Sequence, residues 1–215
     1  MLHAQRGIWR RSFWSSVPLA IDACRQGAFQ KSTELAALLA LLGRLRPQAV
    51  LEIGAGAGGT LYAWCRVAAS DATIVSVDLP GGPFGGEWAG DQERLQRHAR
   101  PEQTLHLIAL DSHDPQTSAE VAVRLDGRPV DFLFIDGDHT YEGVRCDYVA
   151  YAPLVRPGGV IAFHDIVDGP PELVGDVPRF WREADPSSGS RLELVESWAQ
   201  GGFGLGVLRL PDEPG

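Results

Sequence analysis

Cysteine is scarce: Cys24, Cys65 and Cys146 are the only three in 215 residues. An odd number so widely spaced argues against a disulfide framework or a cysteine-rich zinc site, and the expectation is a reduced, cytoplasmic protein. Long apolar runs are missing. No stretch reaches the 18 residues a bilayer span needs, and the leading residues lack the unbroken apolar core of an export signal, so no membrane partner is expected. Basic clusters are missing too. None is longer than the pair Arg10 and Arg11, and 28 acidic residues against 19 basic ones give a net charge of −9. A surface of that sign repels a phosphate backbone, so no nucleic acid is expected as a partner. What is present is ordinary globular composition, 44% apolar and 22% charged, with 25 glycines and 15 prolines that call for structured loops. The length suits one domain with attached segments, read as a helical segment over 1–46 and a main domain over 47–215.

Residues 1–30 mix aromatic and basic side chains, including Trp9, Phe13 and Trp14. They suit a short helix that covers one face of the domain or reaches a partner subunit; a homodimer is the matching expectation. Leu35, Leu38, Leu39 and Leu42 then recur at helical spacing, with Glu34 in the first turn, where the helix dipole favours negative charge. From Pro47 onward apolar runs alternate with helical patterns. Strands are expected over 49–53, 73–77, 104–107, 130–135 and 160–163, with helices over 60–69, 91–99, 118–125 and 141–151. Two further strands, 192–195 and 203–210, complete the pattern. The alternation predicts an α/β, Rossmann-like three-layer sandwich with a mostly parallel seven-stranded sheet and an antiparallel edge strand.

The first expected strand runs through Glu52 into Gly54, Ala55, Gly56, Ala57, Gly58 and Gly59 before a helix begins. Glycines at such a turn let backbone approach a ligand and adopt dihedrals that a Cβ forbids. Asp78 ends the second strand, where a carboxylate can accept two hydrogen bonds from a ribose diol. The spacing of Gly54, Gly56 and Gly59 also fits a dinucleotide fingerprint, so an oxidoreductase using NAD or FAD is a competing reading. Glu52 counts against it, because a negative charge there suits a cationic ligand better than a pyrophosphate.

Two later strand ends carry more chemistry. One delivers Asp136, Asp138 and His139, and the other delivers His164 and Asp165. Adjacent carboxyl ends of parallel strands open into one crevice, so Asp136, His139, His164 and Asp165 are expected to meet there. Two carboxylates with an imidazole suit a divalent cation, and a histidine near neutrality suits proton transfer. Cys65 reads as a small core residue, Phe180 and Trp181 as packing groups, and His98, His106 and His113 carry no assigned role.

The string IDGDHTYEGVRCD, followed by YAPLVRPGGVIAFHD, resembles a bacterial methyltransferase family that includes cephalosporin-hydroxylase-like proteins and macrolide sugar O-methyltransferases. With the glycine turn, the chain is similar to class I S-adenosylmethionine-dependent methyltransferases over roughly 47–210. The resemblance implies that Glu52, Gly54, Ala55, Gly56 and Gly58 border the methionine part of S-adenosylmethionine. Asp78 would then hold the ribose, Asp111 and Ser112 would flank the adenine, and Asp136 would also border the cofactor. It further implies a divalent metal, magnesium in the relatives, on Asp136, His164 and Asp165, with Asp136 and His139 catalytic and His139 as the base. His164 stands where the relatives carry Asp or Glu, which leaves a softer metal or none open. The expected reaction is methyl transfer to a hydroxyl of a small molecule, such as a sugar or another secondary metabolite. A noncatalytic binding protein with the same fold is a further reading.

Overall fold

The structure is a computed structural model, and it describes residues 2–81, 91–184 and 189–212. A long helix α1 (Leu2–Arg25) and a second helix α2 (Ser32–Leu45) precede the sheet. The leading segment is thus a 24-residue helix rather than a short one. Strand β1 (Ala49–Ile53), α3 (Gly59–Val67), β2 (Thr73–Asp78), α4 (Gln92–Gln96) and β3 (Thr104–Ala109) form one half. Helix α5 (Pro115–Leu125), β4 (Val130–Ile135), α6 (Tyr141–Tyr151) and β5 (Val155–Phe163) form the other. The chain closes with α7 (Pro171–Val174), α8 (Val177–Glu183), β6 (Ser190–Leu194) and β7 (Leu205–Arg209).

The strands order as β3-β2-β1-β4-β5-β7-β6. The first five pair in parallel, whereas β7 pairs antiparallel with both β5 and β6. The reversed strand therefore lies one place in from the edge, and β6 closes the sheet. Strand β5 begins five residues before the expected 160, because the Arg156-Pro157-Gly158-Gly159 stretch, which has the composition of a turn, is absorbed by a register shift against β4.

Side-chain alternation divides the core between the two sheet faces. Val50, Phe132, Phe134 and Ala162 pack toward α2 and α3, where Trp64 lies edge-on to Phe132 at 5.0 Å. Leu51, Ile53, Leu133, Ile161 and Phe163 form the opposite core with Val144, Phe180 and Trp181. Cys65 is fully buried in the first core, and all three cysteines are free thiols. No helix among the described residues is long and apolar enough to cross a membrane.

The order reverses between β1 and β4, and at such a switch point the loops beyond the strand ends part to leave a crevice. The carboxyl ends of β1 to β5 therefore bring the glycine turn, Asp78, Asp111, Asp136 and the His164–Asp165 pair to one rim. The sequence over 80–90 is rich in glycine and carries Phe84 and Trp88, a composition that suits a loop closing over this crevice; its residues 82–90 lie outside the described residues.

Candidate active site

At the switch point lies a cavity of about 1050 Å³, lined by residues from every one of these strand ends. The glycine turn forms its floor. Gly54, Gly56 and Gly58 have φ of 85°, 50° and 84°, the left-handed region that glycine tolerates best. At Gly54 the need is also steric, since a Cβ would stand 2.0 Å from the Asp136 carbonyl oxygen. Asp78 ties the turn down: its Oδ2 accepts from the amides of Ala55 at 2.8 Å and Gly56 at 2.7 Å. Burial raises the Asp78 carboxyl above its ordinary value, against those amide bonds. Asp111 and Ser112 line the far end, where the Asp111 carboxylate accepts from the His113 amide at 2.9 Å.

Glu52 departs from the expectation that it borders a ligand. It is fully buried on the α3 side of β1, where its oxygens accept from Trp64 Nε1 at 2.7 Å and Ser76 Oγ at 2.6 Å. The side chain before the turn alternates away from the crevice, so Glu52 braces the loop from beneath. Burial lifts its carboxyl to about 7, and the Ser76, Thr60 and Trp64 hydrogen bonds limit that rise.

The two acidic strand ends meet at the opposite wall. His139 Nε2 lies 3.3 Å from Asp136 Oδ1, and its Nδ1 lies 2.5 Å from the Leu173 carbonyl oxygen and 3.6 Å from Asp165 Oδ2. The carbonyl can only accept, so Nδ1 carries a proton and Nε2 is the nitrogen that exchanges one. Burial opposes the charged ring, but Asp136 outweighs it and raises the His139 pKa. His164 is buried, with Nδ1 at 3.1 Å from Asp136 Oδ1 and 3.2 Å from Asp165 Oδ2. Burial again disfavours charge, yet these two carboxylates raise His164 to about 10, while the two imidazoles hold Asp136 down at about 2 despite its own burial.

Ligand atoms of Asp136, His139 and Asp165 all lie within 4.8 Å of one another, a spread that a hard divalent cation can bridge. His139 thus stands in this group where the sequence reading placed His164, whose Nδ1 is already directed to both carboxylates. Asp165 is held by its φ of 59° and by the Phe203 amide, which donates to Oδ1 at 2.9 Å.

Several site residues were missed in the sequence. The loop after α1 sends Gln30 across the molecule, and its Nε2 donates to Asp136 Oδ2 at 3.1 Å. Phe29 and Phe203 also line the cavity, as do Leu173 and His113. Beneath His113 lies the fully buried Asp147 of α6, with Oδ1 at 3.5 Å from His113 Nε2. None of these sits in a recognisable motif; helical spacing alone marks Asp147 as an acid on an otherwise apolar face.

Residues 51–166, just over half of the chain, match the family described as a methyltransferase domain. The demethylmacrocin O-methyltransferase of Streptomyces fradiae is 28% identical over 153 residues, covering 63% of this chain and 36% of that protein. The mycinamicin VI 2''-O-methyltransferase of Micromonospora griseorubida is 29% identical over 157 residues, covering 69% of this chain and 33% of that protein. The chain thus spans about a third of the length of these two relatives. The structure of the O-methyltransferase TomG from Streptomyces achromogenes, involved in tomaymycin synthesis and in complex with SAM, superposes with a TM-score of 0.62 at 19% identity. It covers 91% of this chain and 89% of TomG, a likeness of fold. With the strand order, the glycine turn and the matched span in agreement, the chain belongs to the methyltransferase-domain family.

Proposed function

We propose that this protein is an S-adenosylmethionine-dependent O-methyltransferase that acts on a hydroxyl of a small molecule, such as a sugar or another secondary metabolite. The observation that carries the reading is one cavity holding both an Asp78-braced glycine turn and the Asp136–His139–Asp165 cluster. Its volume is ample for a nucleoside cofactor beside an acceptor. Gly54, Ala55, Gly56 and Gly58 would border the methionine part, Asp78 the ribose, and Asp111 with Ser112 the adenine. When bound, the cofactor supplies a methyl group on a cationic sulfur, for which the acidic wall is complementary.

Asp136 and Asp165, with His164 where His139 serves as the base, would hold a divalent cation such as magnesium. Such an ion would supply positive charge that lowers the pKa of an acceptor hydroxyl. His139 is placed as general base: Leu173 fixes the Nδ1 proton, Nε2 would take the acceptor's hydroxyl proton, and Asp136, 3.3 Å from Nε2, would stabilise the imidazolium that forms. No covalent enzyme intermediate is needed, so positioning carries much of the rate.

Residues 1–46 serve the domain over 47–215 as a helical cover, a reading supported by the cavity-lining residues Gly27 to Gln30. The exposed Trp14 and Ile21 of α1 support a homodimer, and the cysteine usage supports a cytoplasmic location, with neither membrane nor nucleic acid as a partner.

Calorimetry tests the reading directly. S-adenosylhomocysteine is expected to bind with a micromolar or lower Kd and NAD is not; the reverse would make the protein an oxidoreductase. In the His139→Ala variant the S-adenosylhomocysteine affinity is expected to persist while turnover of a hydroxylated acceptor falls by about 10²–10⁴-fold. Full turnover in that variant would remove the base assignment.

A further inference from the structure

Two chain segments far apart in sequence build one wall over the reaction centre. The connector between α1 and α2 contributes Phe29 and Gln30, and the loop between β6 and β7 contributes Phe203. Each is tied to one of the two central carboxylates: Gln30 Nε2 donates to Asp136, and the Phe203 amide donates to Asp165. The segments are also clasped to each other. Buried Glu34 accepts from the amides of Glu196 and Gly204, both at 2.9 Å, and from Gln200 Nε2 at 2.8 Å.

This clasp sets the Phe29 and Phe203 rings 5.3 Å apart at a tilt of 42°, both facing the cavity. Phe29 is 70% exposed, whereas Phe132, Phe134, Phe163 and Phe180 are buried. At the foot of the pair, Gln30 Oε1 and His164 Nε2 are buried polar atoms with no hydrogen-bond partner among the described residues. Buried polar atoms are normally paired, so these two suit a hydroxyl of a bound molecule.

Charge narrows the ligand further. Seven acidic residues line the cavity, with Asp111, Asp138, Glu172 and Asp176 beyond the three already discussed, and no lysine or arginine lines it among the described residues. Seven carboxyl groups against the imidazoles of His113, His139 and His164 leave this lining acidic on balance, and an acidic cleft with low-dielectric walls concentrates ligands of opposite charge and disfavours those of like charge.

We infer that Phe29 and Phe203 form the acceptor platform, and that the acceptor is an uncharged or cationic hydroxylated molecule with a flat apolar face, not a carboxylate, sulfate or phosphate ester. The inference rests on the methyltransferase reading for the word acceptor, while the platform itself is a property of the cavity. The rings carry the apolar face and the hydroxyl reaches Gln30 Oε1 and the Asp136–His139 pair.

The test is calorimetric titration of the protein, with and without S-adenosylhomocysteine, using 2-naphthol and 6-hydroxynaphthalene-2-sulfonate, which share ring and hydroxyl and differ in charge. 2-Naphthol is expected to bind, and the sulfonate to bind at least about tenfold more weakly. Phe29→Ala and Phe203→Leu are each expected to weaken 2-naphthol about three- to tenfold while leaving the S-adenosylhomocysteine affinity within about twofold. The double variant Glu172→Gln, Asp176→Asn is expected to narrow the penalty against the sulfonate. No measurable 2-naphthol binding, equal affinity for the two probes, or indifference of 2-naphthol to both phenylalanine substitutions would overturn the proposal. Failure of S-adenosylhomocysteine to bind would instead remove the methyltransferase reading, and the titrations of the ligand-free protein would still score the platform.

Discussion

Asp147 illustrates how one buried side chain couples the fold to pH. It is fully buried, and among the described residues neither carboxylate oxygen finds a donor at full hydrogen-bond geometry. Burial lifts its carboxyl to about 6, with Ser112 and His113 limiting the rise and Asp138 and Asp111 adding to it. The folded protein therefore binds a proton that the unfolded chain has already released between its ordinary value, near 4, and about 6. Stability from this group falls as pH rises through that window and stays reduced above it. Asp147→Asn, which keeps the shape and removes the charge, is expected to raise Tm by roughly 2–8 °C at pH 8 and by much less near pH 4. Thermal unfolding at the two pH values reads the difference, and an equal gain at both would show that ionisation of Asp147 is not the cause.

Among the elements, the junction of the N-terminal helices with α3 leaves no room for an added Cβ. A Cβ on Gly59, the first residue of α3, would stand 1.9 Å from the Ala28 amide nitrogen and 2.5 Å from the Ala23 carbonyl oxygen. Both are backbone atoms that cannot rotate aside. Gly59→Ala is accordingly expected to cost about 3 kcal/mol, read as a lower denaturant midpoint. The same push would displace the connector carrying Phe29 and Gln30. Gly127 provides the contrast: its φ is 71° with nothing within 4 Å, so Gly127→Ala is expected to cost only the dihedral penalty, about 1 kcal/mol. Equal losses in the two variants would mean that steric contact at Gly59 is relieved elsewhere.

For the molecule as a whole, the exposed face of α1 is where assembly is expected. Trp14 is 66% and Ile21 39% exposed, seven residues apart and therefore on one side of the helix. Sedimentation at micromolar concentration is expected to give a dimer that Trp14→Glu dissociates, whereas a monomeric mass for the natural sequence would remove the idea. The same scale separates what could be read from the chain and what could not. The bounds expected for β1, β4 and α6 recur in the structure because alternation and helical spacing are local properties of a few adjacent residues. The meeting of Asp136 with His164 and Asp165 was legible as well, since parallel strand ends must open on one rim. The inward turn of Glu52 is different: its neighbours suggested a ligand, and only the packing of Trp64 and Ser76 beneath β1 gives it other partners. Gln30 reaches Asp136 across 106 residues, and Phe203 reaches Phe29 across 174. Sequence by itself determined the alternation of strands and helices from β1 to β5 and the apolar face of most of them. The tertiary structure alone decided which loops from distant elements close over the crevice, because periodicity encodes the direction of a side chain but not the distance between two elements once they pack.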